Sequence, residues 1–216
     1  MLDYKEKPSD YYTHVRREIV DEVPIDSGSV LEIGCAGGRT GEVLKLEGRA
    51  KWVTGVELID TAAEQAKKVL DQVLIGSIEQ IDLPFSDGQF DVIILADVLE
   101  HLVDPWAALR RIKPYLKQNG LMVVSLPNVR NWRVLMPLFF LGKWEYQDAG
   151  IMDRTHLRFF TRTGMIDLFN ACCLEVKKIS PVGRRSASFL RLRLGFLSEL
   201  TAVQYVLVGQ IKQGTD

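Results

Sequence analysis

The stretch that most limits the possible folds is Val30-Leu31-Glu32-Ile33, followed at once by Gly34-Cys35-Ala36-Gly37-Gly38 and a helical pattern that begins at Arg39 and Thr40. A second apolar run, Trp52–Val56, then ends in Glu57. Strand, small-residue turn, helix and second strand make a βαβ unit. In such a unit the small residues let backbone N–H groups approach a ligand, and an acid at the tip of the second strand can grip two ribose hydroxyls.

The same alternation continues along the chain. Strand-like runs cover Ser29–Ile33, Trp52–Glu57, Gln72–Ile75, Phe90–Leu95 and Leu121–Leu126, with helices predicted near Arg39–Leu46, Thr61–Leu70 and Pro105–Leu116 and a turn at Asn119-Gly120. A continuous apolar run such as Val92-Ile93-Ile94-Leu95 fits a strand covered on both faces. The pattern predicts an α/β fold with a doubly wound, mostly parallel sheet. Late in the chain the alternation breaks: Leu174–Ile179 and Val203–Ile211 read as strands with no strong helix between them, a pair suited to an antiparallel edge hairpin. Ligands of open sheets sit outside the carboxyl ends of the strands, so the loops after Ile33, Glu57, Ile75, Leu95 and Leu126 are where a site belongs.

A chain of 216 residues fits one domain, 1–216, with a full core. Its 27 Lys plus Arg against 28 Asp plus Glu leave a net charge of −1, which gives no argument for a nucleic-acid partner, and a small or local partner is expected. Three cysteines without a disulfide framework or zinc spacing, and no apolar leader, fit the reducing cytoplasm. The apolar run Val134–Leu141 contains Pro137 and is far short of the roughly 20 residues that cross a bilayer.

Two ligand classes compete for the first turn. The dinucleotide pattern G-x-G-x-x-G needs glycine at 34, 36 and 39, where the chain has Gly34, Ala36 and Arg39. The pattern E-x-G-x-G-x-G is met by Glu32, Gly34 and Gly38, with Ala36 as its one departure. These residues resemble the first motif of the class I S-adenosylmethionine (SAM)-dependent methyltransferases, and Glu57 resembles that family's ribose-binding acid. The resemblance implies a Rossmann-like sheet of seven strands and SAM as cofactor. It also implies cofactor contacts from Glu32, Gly34, Ala36, Gly38, Thr40, Glu57 and Leu58, the last either on the adenine face or in the core. Ser77 and Ile78 are placed beside the base, where the family often has an acid in place of Ser77, and Ala96 and Asp97 flank the methionine half.

The segment Asp97–Pro105 is similar to the family's motif after the fourth strand, and within it His101 is a candidate general base or a turn cap. Residues 127–160, rich in aromatic rings beside amides and acids, suit a polyhydroxylated acceptor. A structural Ω-loop or a homodimer contact is the alternative for that segment. Inside it, Asp153-Arg154-Thr155-His156-Leu157-Arg158-Phe159-Phe160-Thr161 resembles a signature of methyltransferases associated with bacterial surface-polysaccharide and sugar biosynthesis, and of a methyltransferase-like family linked to methionine biosynthesis. His156 is then a candidate base oriented by Asp153, or a buried histidine bonded to backbone.

Residues 1–24 read as an N-terminal helical lid, in which the resemblance implies Tyr11 or Tyr12 over the methionine end, His14 is a helix-surface or cofactor-lid residue, and Arg16 and Arg17 share a solvated face. Within the basic and apolar segment 184–200, residues 184–197 can rest on an anionic membrane surface, hold a phosphorylated acceptor or pack as an amphipathic helix. Transfer to a hydroxyl of a sugar or other small polar acceptor is the activity expected, with no metal required and no ligand cluster evident in the spacing. A SAM-binding scaffold without transfer activity and a nicotinamide dehydrogenase are the competing readings.

Overall fold

A computed structural model describes residues 15–183 and 199–214. The expectations for Tyr11, Tyr12 and His14, and for the basic stretch 184–197, lie outside the described residues.

At the centre of the sheet β1, Ser27–Ile33, runs parallel to β2, Ala50–Glu57, on one side and to β4, Phe90–Ala96, on the other. Alternate residues of these strands enter different cores. Leu31, Ile93 and Leu95 pack into one apolar cluster, while Val30, Val92 and Ile94 join the other with Val53 and Leu44. Two buried faces are why the runs are apolar throughout. With β3, Gln72–Ile75, β5, Leu116–Pro127, β6, Leu174–Val182, and β7, Gln204–Ile211, the seven described strands are ordered β3-β2-β1-β4-β5-β7-β6. β7 is antiparallel to both β5 and β6, which makes the expected edge hairpin. The order reverses between β1 and β4, and that crevice is where the topology puts a ligand.

The helices are α1, Arg17–Val20, α2, Arg39–Leu46, α3, Asp60–Ala66, α4, Pro105–Ile112, α5, Trp132–Leu141, and α6, Arg162–Ala171. α4 starts where its residues dictate: the Asp104 side chain accepts the Ala107 N–H at 2.9 Å, and Pro105 fills the first turn. It stops at Ile112 and passes into a 3₁₀ turn, so it is shorter than the predicted Pro105–Leu116. α3 likewise ends at Ala66, not Leu70.

Three further features differ from the sequence pattern. Asn119-Gly120 is no turn after a helix but part of β5, at the register shift that pairs Phe90 with Leu116 and Val92 with Leu121. A Cβ on Gly120 would lie 2.9 Å from the Asp91 carbonyl oxygen, so the irregularity rests on a close backbone approach. α6 is a helix that the pattern does not predict, although Thr161 caps it by accepting the Gly164 N–H at 3.1 Å. α5 occupies the first third of the expected acceptor segment. It forms despite Pro137, with Asn131 accepting the Arg133 N–H at 3.0 Å at one end and left-handed Gly142 closing the other. Its Phe139, Phe140 and Leu141 face outward. Among the described residues no helix is long and apolar enough to cross a membrane.

Candidate functional site

The carboxyl ends of β1, β2, β3 and β4 surround a cavity of about 780 Å³. Its floor is the turn after β1. There the Gly34 N–H bonds the Val56 carbonyl at 2.8 Å, pinning the turn to β2, and Gly34 and Ala36 take left-handed backbone angles with φ of 69° and 48°. That geometry is slightly strained for alanine and easy for glycine. Gly38, with φ of 79°, does not line the cavity; it starts α2 where a Cβ would come within 3.0 Å of Ala66 Cα. Thr40 does line it, and its hydroxyl accepts the Arg16 N–H at 3.2 Å.

Glu57 closes the end of β2 over this turn. Its Oε2 accepts the Ala36 N–H at 2.8 Å and its Oε1 accepts the Ile59 N–H at 2.9 Å. Each oxygen keeps further lone-pair capacity, and the residue lines the cavity. Burial raises the Glu57 carboxyl pKa, and these backbone donors counter it. Leu58 is 50% exposed on the cavity wall, so the core role allowed by the sequence falls away. Ser77 and buried Ile78 line the same end, where the Ser77 hydroxyl accepts the Glu79 N–H.

Glu32 also lines the cavity; it is buried, and its Oε2 has no hydrogen-bond partner. Burial pushes its carboxyl up to about 8 from an ordinary 4.5; the Gly41 N–H at the start of α2 opposes the rise and the Glu57 charge adds to it. Below pH 4.5 the group is neutral folded or unfolded; between 4.5 and about 8 the folded chain holds a proton that the unfolded chain has released, so stability falls as pH rises across that window and levels off above it. Glu32→Gln is therefore expected to match the parent near pH 4.5 and to exceed it by a few kcal/mol at pH 9. Urea unfolding at both pH values checks this, and parallel pH profiles for the two proteins would refute it.

Ala96 and Asp97 line the opposite wall. Asp97 Oδ1 accepts from the Ser125 hydroxyl at 2.8 Å and from Gln204 Nε2 at 2.7 Å, and its Oδ2 pairs with Arg16. Arg16 is thus not on the solvated face that its sequence neighbours suggest, but forms a cavity wall and clips the chain before α1 to the end of β4. Ser125 and Gln204 give no signal in the sequence for a similar reason: their partner is remote in the chain.

Beyond Asp97 a 3₁₀ turn, Leu99–His101, meets the segment around His156. The Glu100 carbonyl accepts the N–H groups of Leu157 and Arg158 at 2.8 and 3.0 Å, which fixes that approach. His101 lines the cavity; His156 is buried beside it, with ring centroids 4.7 Å apart. Each ring has its Nδ1 on a backbone carbonyl, His101 on Thr155 at 3.2 Å and His156 on Ile151 at 3.0 Å. Burial, then the neighbouring His156, lowers His101 to about 4, so its imidazole is neutral at pH 7. Asp153 is buried and its Oδ1 accepts both the N–H and the hydroxyl of Thr155. Between them lies Glu100, 1% exposed, with neither carboxylate oxygen hydrogen-bonded. Burial above all, and then the charge of Asp97, holds its carboxyl well above the usual range. The sequence shows no metal-ligand spacing, yet the fold brings one ligand atom each from Glu100, His101 and His156 within 4.8 Å of one another.

A cavity at the sheet's switch point, an acid gripping the turn after the first strand and an edge of β5-β7-β6 define a class I SAM-dependent methyltransferase fold. The chain belongs to the methyltransferase-domain family, which matches residues 4–178. A ubiquinone biosynthesis O-methyltransferase of Coxiella burnetii is 28% identical over 137 residues, 61% of this chain and 57% of that protein. One from Marinobacter nauticus is 29% identical over 184 residues, 81% of this chain and 75% of that protein. The chain spans little more than half the length of the first of these relatives. An S-adenosylmethionine-dependent methyltransferase structure from Mesorhizobium loti superposes with a TM-score of 0.64 at 14% identity, covering 90% of this chain and 96% of that one. SAM is the family's cofactor, and the residues present fit it: the cavity has room for it, and a carboxylate already braced by two backbone donors faces the place of a ribose.

Proposed function

We propose that this chain transfers the methyl group of SAM to a hydroxyl oxygen of a small acceptor. The observation that carries this is the continuous cavity running from Glu57 at the adenosine end to Asp97 and His101 at the other. Glu57 would hold the ribose hydroxyls, Leu58 and Ile78 the base, and Asp97 the methionine end. Bound SAM supplies a methyl carbon made electrophilic by a sulfonium; as the new carbon–oxygen bond forms, the carbon–sulfur pair stays on sulfur and the hydroxyl proton leaves to water.

The protein's own task is to align the acceptor oxygen with that carbon and to keep competing water out. His101 fits a weak proton acceptor at best, since its conjugate acid lies near 4. Positioning carries most of the rate in this scheme. A sugar hydroxyl is the finer acceptor we propose, supported by the exposed Trp132, Trp144 and Tyr146 of the 127–160 segment. The names of the curated relatives favour a second choice, a ring hydroxyl on the way to a quinone.

Methyl transfer from labelled SAM, screened against nucleotide sugars, lipid-linked glycans, hydroxylated aromatic rings and small amines, separates these outcomes. Label in a hydroxyl product supports the proposal. SAM binding by calorimetry with no transfer to any acceptor would leave a scaffold in its place, and preferential stabilisation by NAD would overturn the cofactor as well.

A further inference from the structure

We infer that Arg111, which does not line the cavity, is a positioning residue: it holds the loop at the base end of the cavity in shape and so sets how well the protein recognises adenine. The inference rests on the placing of the base beside Ile78 proposed above. The loop is residues 76–89, between β3 and β4, and it contains no strand or helix of its own. Gly76, Ser77, Ile78 and Glu79 line the cavity, so whatever fixes their backbone fixes that wall.

Residues 77–81 make a single tight turn, in which the N–H groups of Gln80 and Ile81 both bond the Ser77 carbonyl, at 2.9 and 2.7 Å. An isolated turn leaves its later carbonyls without partners and is marginal by itself. Arg111 supplies those partners. From the last turn of α4 its Nη1 donates to the Ile78 carbonyl at 2.9 Å and its Nη2 to the Ile81 carbonyl. A guanidinium presents its donors in a fixed plane, so two bonds to carbonyls three residues apart set the pitch of the turn as well as its distance from α4. A second brace stands at the other end of that helix, where Glu79 Oε1 accepts the Asp104 N–H at 3.0 Å beside the Asp104 cap. The loop is therefore mounted at two points on α4, which is itself anchored in the core by Ala108, Leu109 and Ile112.

The ordinary use of such an arginine is as a cation at the negative end of a helix. Arg110, exposed in the same turn, answers to that description, whereas Arg111 spends its guanidinium on the loop. Buried Ile78, with Ile81, Leu83 and Phe85 packed against the same core, keeps the loop attached without the arginine. Loss of Arg111 therefore spoils the precision of the turn and not its presence. A hydrogen-bonding site that is held loosely discriminates poorly between ligands that differ at one polar group.

Arg111→Met in the full chain keeps the apolar stem and removes both bonds, Arg111→Lys keeps a point charge that lacks the planar fork, and Arg110→Met removes the same charge from the same turn. Calorimetry with S-adenosylhomocysteine and with its hypoxanthine counterpart, S-inosylhomocysteine, reads recognition of the base. Arg111→Met is expected to bind the adenine ligand about tenfold more weakly and the hypoxanthine ligand less than about threefold more weakly, so that the preference between bases shrinks. Arg111→Lys should fall between the two, and Arg110→Met should match the parent. Hydrogen exchange of the free protein needs no ligand: residues 77–85 are expected to exchange faster in Arg111→Met while β1 and β4 keep their protection, which also shows that the variant is folded. Equal losses for both ligands, a parent without preference for adenine, or unchanged exchange in the loop would overturn the inference. None of these readouts involves an acceptor, so a failure to find methyl transfer would sink the proposed function and leave the role of Arg111 standing.

Discussion

Replacing Glu57 with alanine is expected to weaken SAM binding by about 100-fold or more. Hydrogen bonds to a charged group contribute about 1.5–3 kcal/mol each, so losing the two ribose bonds proposed for Glu57 costs about 3–6 kcal/mol. Preorganisation favours the upper part of that range. The carboxylate is already fixed by the Ala36 and Ile59 N–H groups, so little freedom is lost when the ligand arrives. The folded state should suffer less than the complex. Alanine strands two backbone donors, but it also removes a carboxyl whose burial raises its pKa, and the two effects oppose each other. Calorimetry reads the affinity and urea unfolding the stability. An unchanged affinity would take the ribose away from Glu57.

Gly34→Ala should produce the second largest effect, on stability and affinity together. The backbone there has a φ of 69°, which costs a residue with a side chain about 1–2 kcal/mol. An added Cβ would also meet Val98 Cγ2 at 2.6 Å, a separation that forces one of the two to move. Both residues line the cavity, so the displacement narrows the space proposed for the cofactor. A loss of about 2–3 kcal/mol in stability is expected, with affinity falling about tenfold. The causes can be separated, because Gly34→Ala combined with Val98→Ala relieves the collision and leaves the backbone cost of about 1–2 kcal/mol. No recovery in the double variant would mean that the collision contributes nothing.

How much of this could be read from the chain depends on where each residue's partner lies. β1 and β4 are legible because both of their faces are buried, and a run such as Val92–Leu95 has no other good use. The hairpin of β6 and β7 is legible from two apolar runs without a helix pattern between them. α5 is hidden by Pro137 and by apolar residues that point outward, so its pattern marks no buried face. The start of β5 is hidden by Asn119-Gly120, which reads as a turn and serves as an irregularity in the strand.

In the site, Gly34 and Glu57 stand out because each sits at the tip of an apolar strand-like run, where the spacing of a βαβ unit places a turn and an acid. Arg16 does not, since Asp97 is far along the chain, and composition shows only an arginine among charged residues. Glu100 is the sharpest case. Beside leucines and a histidine it reads as an ordinary helical acid, and only the return of the chain at Leu157 and Arg158 buries it without a hydrogen-bond partner. Local pattern sets secondary structure; the loneliness of a charge is a property of three dimensions.

The position of β7 sets the order in which a nascent chain can finish. Although residues 204–211 come last of the described strands, they lie between β5 and β6, so among the described residues β6 has no strand to pair with until they have been synthesised. Gln204, the first residue of that strand, also completes the grip on Asp97. On the ribosome, then, the parallel half of the sheet can assemble early, but one side of the cavity wall waits for the final strand to slot into place. A chain halted before residue 204 would carry every residue of the turn after β1 and still lack the support that holds the opposite wall.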